Sequence, residues 1–201
     1  MNHYNILAGF DRFERLTNKV QRKIYDRAVK FNNKVDYTMS AISGLEGLIP
    51  TLESISFSKK IAIANKESII CAWNLIENLL KKNKCKFLPI DSEHFSINEL
   101  LNSSSNAQIA EVIITASGGP FLNLPLSKFK KINPKMAIKH PKWKMGKKIS
   151  VDSATLMNKI FELIEAKKIF NLEIKKLKIL IHPSSYVHAI VKFNNGLSKI
   201  L

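Results

Sequence analysis

Cysteine and glycine are scarce in this 201-residue chain, which has two of the first and seven of the second. Two cysteines, Cys71 and Cys85, cannot build a disulfide framework, so the setting expected is a reducing cytoplasm. No three glycines follow the Gly-x-Gly-x-x-Gly spacing of a dinucleotide-binding turn, so the usual sequence sign of a Rossmann phosphate loop is missing. No apolar run approaches the length of a membrane span, and the N-terminus lacks a signal-peptide pattern; a soluble intracellular protein with no membrane partner is expected. Acidic side chains are also few, 16 against 32 lysines and arginines, for a formal net charge of +16. Such an excess invites a nucleic-acid partner. Its distribution argues against one: Arg12, Arg15, Arg22 and Arg27 all lie near the start, and elsewhere the basic residues are lysines scattered among Asn and Ile, not gathered with stacking aromatics. No nucleic-acid partner is expected, and the basic surface is read as an attractor of small anions.

What is present is an alternation of strand-like and helix-like segments in a chain with 45% hydrophobic residues, enough for a sizeable core in one or two domains. Strands are expected near 35–43, 60–65, 86–91 and 111–116, and helices over 45–55, 66–83, about 94–102 and 153–170. Two final strands are expected near 176–182 and 185–193. That order predicts an α/β fold on a largely parallel sheet. The last two strands, joined across His182-Pro183-Ser184-Ser185, are expected to form a hairpin or a sheet edge suited to dimer formation.

Three segments carry chemistry. In Met145–Ala166, Asp152 and Ser153 are good N-cap residues, and the free N–H groups beyond them favour a phosphate or carboxylate. Asn158 and Glu162 are four apart and Lys159 and Glu162 three apart, so amide, ammonium and carboxylate can meet on one helix face. A capped amphipathic helix with a solvated ion pair would read the same way. In Lys86–His94, an apolar run of strand type enters Asp91-Ser92-Glu93-His94. If the chain stays extended there, Asp91 and Glu93 share one side, which suits an oxygen-liking cation such as Mg²⁺ or Mn²⁺ with Glu162 as a third ligand. An acid-rich turn is the plainer alternative. In Glu111–Phe121, a β-branched run ends in Ser117-Gly118-Gly119-Pro120, a loop whose backbone can approach a ligand closely.

With Ala64-Asn65-Lys66-Glu67-Ser68 and His140-Pro141-Lys142-Trp143-Lys144-Met145-Gly146, these segments closely resemble the 1-deoxy-D-xylulose 5-phosphate reductoisomerase family from about Val35 to about Val191. The resemblance implies metal-dependent rearrangement and NADPH reduction of a sugar phosphate to 2-C-methyl-D-erythritol 4-phosphate in non-mevalonate isoprenoid biosynthesis. It places metal ligands on Asp91, Glu93 and Glu162. Substrate contacts fall on Lys66, Ser92, Glu93, Ser117, His140, Ser153, Asn158, Lys159 and Glu162. Of these, Ser117, Ser153, Asn158 and Lys159 resemble the phosphate grip, and Trp143 the cover of a mobile flap spanning His140 to Met145. Asn65, Glu67 and Gly146 match cofactor-contacting positions, although without the glycine loop NADPH binding by this chain stays in question.

The fold class implied is α/β, a truncated Rossmann-like part over 1–84 followed by an α/β catalytic domain over 85–201 with a sheet-edge hairpin at its end. Met1 is expected to lie inside the cofactor domain and Leu201 to precede a linker and a C-terminal helical domain. Leu45-Glu46 and Ile160-Phe161 depart from the family wording and are expected to crowd the cofactor cleft and the site. The resemblance implies a homodimer and a cytoplasmic enzyme. The other reading is a non-catalytic remnant that serves as a binding module.

Overall fold

A computed structural model describes residues 34–102, 109–139 and 146–201. The chain divides into two compact units, one through Asp91 and one from Ser92.

The first unit is built on β1 (Thr38–Ser40), α1 (Leu48–Ser56), β2 (Lys60–Ile63), α2 (Lys66–Asn83) and β3 (Lys86–Pro89). The strands pair in parallel in the order β1-β2-β3. Parallel neighbours need a crossover, and α1 and α2 supply it. Ile55, Ile61, Ile63, Ile69, Ile76 and Leu80 fill the core. Trp73 meets Phe87 edge to face, with ring centroids 5.2 Å apart. Buried hydroxyls knit α1 to β1: Thr38 Oγ1 bonds Ser58 Oγ, and Ser40 Oγ bonds Thr51 Oγ1, each at 2.6 Å. Thr51 and Ser58 also donate to the carbonyls of Gly47 and Ser54, so these interior polar groups are paired.

The second unit contains α3 (Ser92–Leu101), β4 (Ile109–Ala116), α4 (Pro134–Ala137), α5 (Lys147–Ala154), α6 (Met157–Ile169), β5 (Leu177–Ile181), β6 (Ala189–Phe193) and β7 (Ser198–Ile200). Its sheet runs β5-β4-β6-β7, with β4 parallel to β5 and antiparallel to β6. Ile97 and Leu100 of α3 and Ala166 and Phe170 from α6 and its end cover one face, packing with Val112, Ile114, Leu177, Ala189 and Val191. Period-two alternation puts Ile113, Thr115, Leu180, Ile190 and Ile200 on the other face.

Several expectations are corrected. The parallel sheet holds for the first unit, whereas the second sheet is mixed. The strands at 177–181 and 189–193 are not a hairpin with each other, because both pair with β4 and flank it; the hairpin is β6–β7, closed by a turn at Gly196 with φ of 85°. The strand expected over 86–91 ends at Pro89, and the next helix starts at Ser92, not near 94. The first compact unit runs through Asp91, because β3 hydrogen-bonds into its sheet. The single helix expected over 153–170 is two helices, broken where Leu156 takes a left-handed conformation with φ of 60°. A non-glycine residue in that region costs energy.

Candidate functional site

The centre of the second unit's polar chemistry lies between α3 and α6. Lys159 Nζ sits 2.7 Å from Glu93 Oε1 and 2.5 Å from Glu162 Oε2. All three side chains are buried to at least about six-sevenths, with exposures of 8% for Lys159, 14% for Glu93 and 3% for Glu162. Asn158 Nδ2 donates to Glu162 Oε1, as the i,i+4 spacing on a helix allows. Burial is the largest influence on Lys159 and alone would lower its pKa. The Glu162 and Glu93 carboxylates, through charge and hydrogen bonds, outweigh it and hold the ammonium above the usual lysine range.

Glu93 reaches this point as the second residue of α3, not by strand alternation with Asp91. Ser92 Oγ donates to Glu93 Oε2 at 2.6 Å. Asp91 directly precedes α3 in sequence and ends the first unit. Within the second unit, one carboxylate oxygen each from Glu93 and Glu162 lie within 4.8 Å of each other. Two carboxylates at that spacing suit a hard divalent cation, and the buried Asn158 Oδ1 beside them has no hydrogen-bond partner among the described residues. The donor set therefore fits the cation that the sequence suggests.

In the first unit, Lys66 opens α2 and its Nζ lies 3.1 Å from Asp91 Oδ2. Asn65 is the N-cap of α2: its Oδ1 accepts from Ser68 N at 2.6 Å. Its Nδ2 donates to the carbonyls of Ile42 and Gly44, which anchors the turn after β1, and Glu67 lies within 3.4 Å. Close packing there also explains Gly47, where an added Cβ would stand 2.3 Å from the Ile42 oxygen. Asn65→Ala is expected to lower the stability of this unit by about 2 kcal/mol, the sum of a lost cap and two orphaned loop carbonyls. Urea unfolding followed by tryptophan fluorescence measures it, and a loss below about 0.5 kcal/mol would show that the cap is replaceable.

The loop that carries Ser117 approaches the backbone of Ser153 at a glycine. Gly119 has φ of 70°, and a Cβ on it would lie 2.8 Å from the Ser153 oxygen and 3.3 Å from Ala154 Cα. The Ser117-Gly118-Gly119 loop therefore lies directly against the end of α5. Ser117, Gly119, Pro120, Leu122, Asn123, Leu124 and Pro183 line a cleft of about 410 Å³. Gly119→Ala should destabilise the chain by about 1–3 kcal/mol through backbone strain and overlap, read as a fall in thermal midpoint. An unchanged midpoint would mean that the loop is free to shift.

The helix-start expectation for Asp152 and Ser153 is corrected: both lie in the last turn of α5, where Asp152 pairs with Lys148 at 2.9 Å. The uncapped N-terminus belongs to α6, whose first turn carries Asn158 and Lys159. Gly146 precedes α5 in an ordinary conformation, exposed, with open space where a Cβ would sit. Ile160 faces solvent and Phe161 lies under the Lys148 ammonium at 5.4 Å, so neither crowds the carboxylates. Leu45 is also exposed. His140 and Trp143, with the rest of the expected flap from 140 to 145, lie outside the described residues. Sequence reasoning passed over His94 and Glu165, both buried beside this cluster. The available signal was a second carboxylate three residues after Glu162 on the inward face of the same helix.

The fold and site define a mixed α/β protein with a buried acid–lysine cluster near a helix start, and sequence comparison narrows the class. The C-terminal-domain model of 1-deoxy-D-xylulose 5-phosphate reductoisomerase matches residues 87–170, and a second model of that enzyme matches residues 17–73. The reductoisomerase of Pelagibacter ubique is 66% identical over 170 residues, which is 85% of this chain and 44% of that protein. The one from Caldanaerobacter subterraneus is 44% identical over 81% of this chain and 43% of its own length. A crystal structure of DOX-P reductoisomerase with NADPH, fosmidomycin and magnesium superposes with a TM-score of 0.80 at 38% identity, covering 89% of this chain and 46% of that one. The Zymomonas mobilis enzyme in complex with NADPH gives 0.77 at 37%, covering 89% and 45%. The chain belongs to the 1-deoxy-D-xylulose 5-phosphate reductoisomerase family and spans under half the length of these relatives. Among the described residues no helix is long and apolar enough to cross a membrane.

Proposed function

We propose that this chain contributes the metal and sugar-phosphate site of a 1-deoxy-D-xylulose 5-phosphate reductoisomerase acting in isoprenoid biosynthesis. The observation that carries the reading is the buried Glu93–Lys159–Glu162 cluster, whose two carboxylates lie within 4.8 Å of each other. When bound, a divalent cation supplies Lewis-acid polarisation of substrate oxygens, and NADPH supplies hydride. Asp91, Glu93 and Glu162 would hold the cation, Mg²⁺ or Mn²⁺. Lys66, beside Asp91, would stabilise negative charge developing on oxygen. Ser117, Ser153, Asn158 and Lys159 would grip the phosphate, aided by the uncapped N–H groups at the start of α6. Ser92 would orient Glu93 and contact substrate, and His140 and Trp143 would close over it. Asn65 and Glu67, from the cofactor part over 1–84, and Gly146, from the catalytic part over 85–201, would contact NADPH. The retained ligands and lysines favour this reading over that of a non-catalytic remnant. Two free cysteines, with burial raising the Cys85 thiol pKa, accord with a cytoplasmic setting.

Calorimetric titration of the 201-residue chain with Mn²⁺, then with fosmidomycin, tests it. Fosmidomycin is expected to bind only after the cation; equal binding in EDTA would overturn the reading. A parallel NADPH titration, read by fluorescence, decides whether the chain binds the cofactor without a glycine loop.

The reading extends to a homodimer through the sheet face that carries Leu180 and Ile200, 49% and 59% exposed. Leu180→Lys is expected to turn a dimer into a monomer in light scattering after gel filtration. A wild-type chain that elutes as a monomer would remove the proposal.

A further inference from the structure

His94 and Glu165 have no part in the chemistry assigned so far, yet they are among the most deeply buried polar side chains of the second unit, at 1% and 2% exposure. His94 stands in the first turn of α3, next to Glu93. Its Nε2 lies 2.9 Å from the backbone oxygen of Glu162. A carbonyl oxygen can only accept, so Nε2 carries the hydrogen and the ring is fixed in orientation. That bond ties the start of α3 to α6 at the residue whose side chain enters the carboxylate cluster. Glu165 follows Glu162 by three residues on α6, and its carboxylate comes within 4.8 Å of a His94 ring nitrogen. A carboxylate so deeply buried needs a polar or charged neighbour, and a ring already anchored on one nitrogen offers its polar edge to it. Phe170 stands on a third side of the imidazole, with centroids 6.5 Å apart, and limits its rotation.

We propose that Glu165 is a positioning residue for the Glu93–Glu162 carboxylate pair: together with His94 it fixes α6 against α3, so that the Glu162 carboxylate is held where it meets Glu93. The proposal rests on the reading that this pair binds a divalent cation. Two helices are joined at the cluster by the Lys159 ion pairs on one side and by the imidazole on the other. Lys159 reaches both carboxylates on a long flexible stem, whereas His94 grips the backbone of α6 directly. The flexible contact follows the carboxylates; the rigid one sets their spacing. Groups that orient metal ligands in this way change metal affinity by ten- to a hundredfold when altered.

The test uses Glu165→Gln and Glu165→Asp in the complete 201-residue chain, with Mn²⁺ affinity and stoichiometry from electron paramagnetic resonance and thermal unfolding by circular dichroism. Leu172→Ala, a core change in the same unit, is the comparator for plain destabilisation. Glu165→Gln is expected to raise the Mn²⁺ dissociation constant ten- to a hundredfold at unchanged stoichiometry. Glu165→Asp keeps the charge on a shorter arm and should fall between it and wild type, and it carries the test if the Gln variant fails to fold. Leu172→Ala should lower the unfolding midpoint without altering Mn²⁺ affinity. Unchanged affinity in both Glu165 variants overturns the inference while leaving the site reading intact. A wild-type chain that takes up two Mn²⁺ ions, one of them lost in Glu165→Gln, would make Glu165 a ligand and also overturn it. A wild-type chain that binds no Mn²⁺ removes the site reading and the inference together.

Discussion

Glu162→Gln should abolish measurable Mn²⁺ binding at micromolar concentrations, a loss of more than about a hundredfold, while the chain remains folded. The size follows from the role proposed: removing a direct ligand should exceed the ten- to hundredfold cost of altering a group that only orients one. The fold should survive because Gln keeps the shape of the side chain, and Lys159 retains Glu93 as a partner at 2.7 Å. The remaining cost is a weakened ion pair in a buried setting, about 1–3 kcal/mol. Calorimetry for the metal and denaturant unfolding for the fold separate the two effects. Equal Mn²⁺ affinity in the variant would remove Glu162 from the ligand set and with it the proposed enzymatic role.

Lys159→Met is expected to act mainly on stability, by about 3–5 kcal/mol, the range for removing one partner of a buried ion pair. Without the ammonium, the Glu93 and Glu162 carboxylates face each other in a poorly solvated space. Their mutual repulsion adds to the loss. Added Mn²⁺ should restore stability, because a ligand that binds only the folded chain favours it in proportion to its concentration over its dissociation constant. Wild type should lose stability in the alkaline range. The folded-state pKa of Lys159 lies above its unfolded value, so its contribution is complete below the unfolded value and fades as pH rises through the folded one. Thermal midpoints between neutral and strongly alkaline pH check this sign: the loss traced to Lys159 should appear in wild type and be absent from the variant. A variant as stable as wild type at neutral pH would mean that Glu93 and Glu162 are separated in solution. Affinity for a phosphate-bearing substrate analogue should fall too, by about 1.5–3 kcal/mol.

The elements most legible along the chain were those whose cues are local. The helix over 66–83 was expected with the bounds it has, since Asn65 caps it, its apolar residues recur at helical spacing, and Lys84 ends it in a left-handed turn. The i,i+3 and i,i+4 relation of Lys159 and Asn158 to Glu162 is set by helix geometry and is found intact. The break at Leu156 was illegible because neither glycine nor proline marks it, and the leucine that adopts positive φ there is exposed. The pairing of the last strands was illegible for a similar reason. β5 and β6 are neighbours in sequence with a short connection, yet both are apolar enough to flank the buried β4, and burial there outweighs local hairpin closure.

Residue order alone establishes which side chains are available: carboxylates at Asp91, Glu93 and Glu162, an ammonium at Lys159, a glycine where the loop must turn at Gly119. It also establishes their spacing within one helix, because the pitch of a helix is a property of the backbone. Only the folded chain decides that Glu93, from the start of α3, lies against Lys159 and Glu162 of α6, and that His94 and Glu165 lie buried beside them. Those contacts join residues more than sixty positions apart, and such closure is selected by burial of a shared core that no local pattern encodes. In this chain that core is the packing of Ile97, Leu100, Ala166 and Phe170 on β4 and its neighbours.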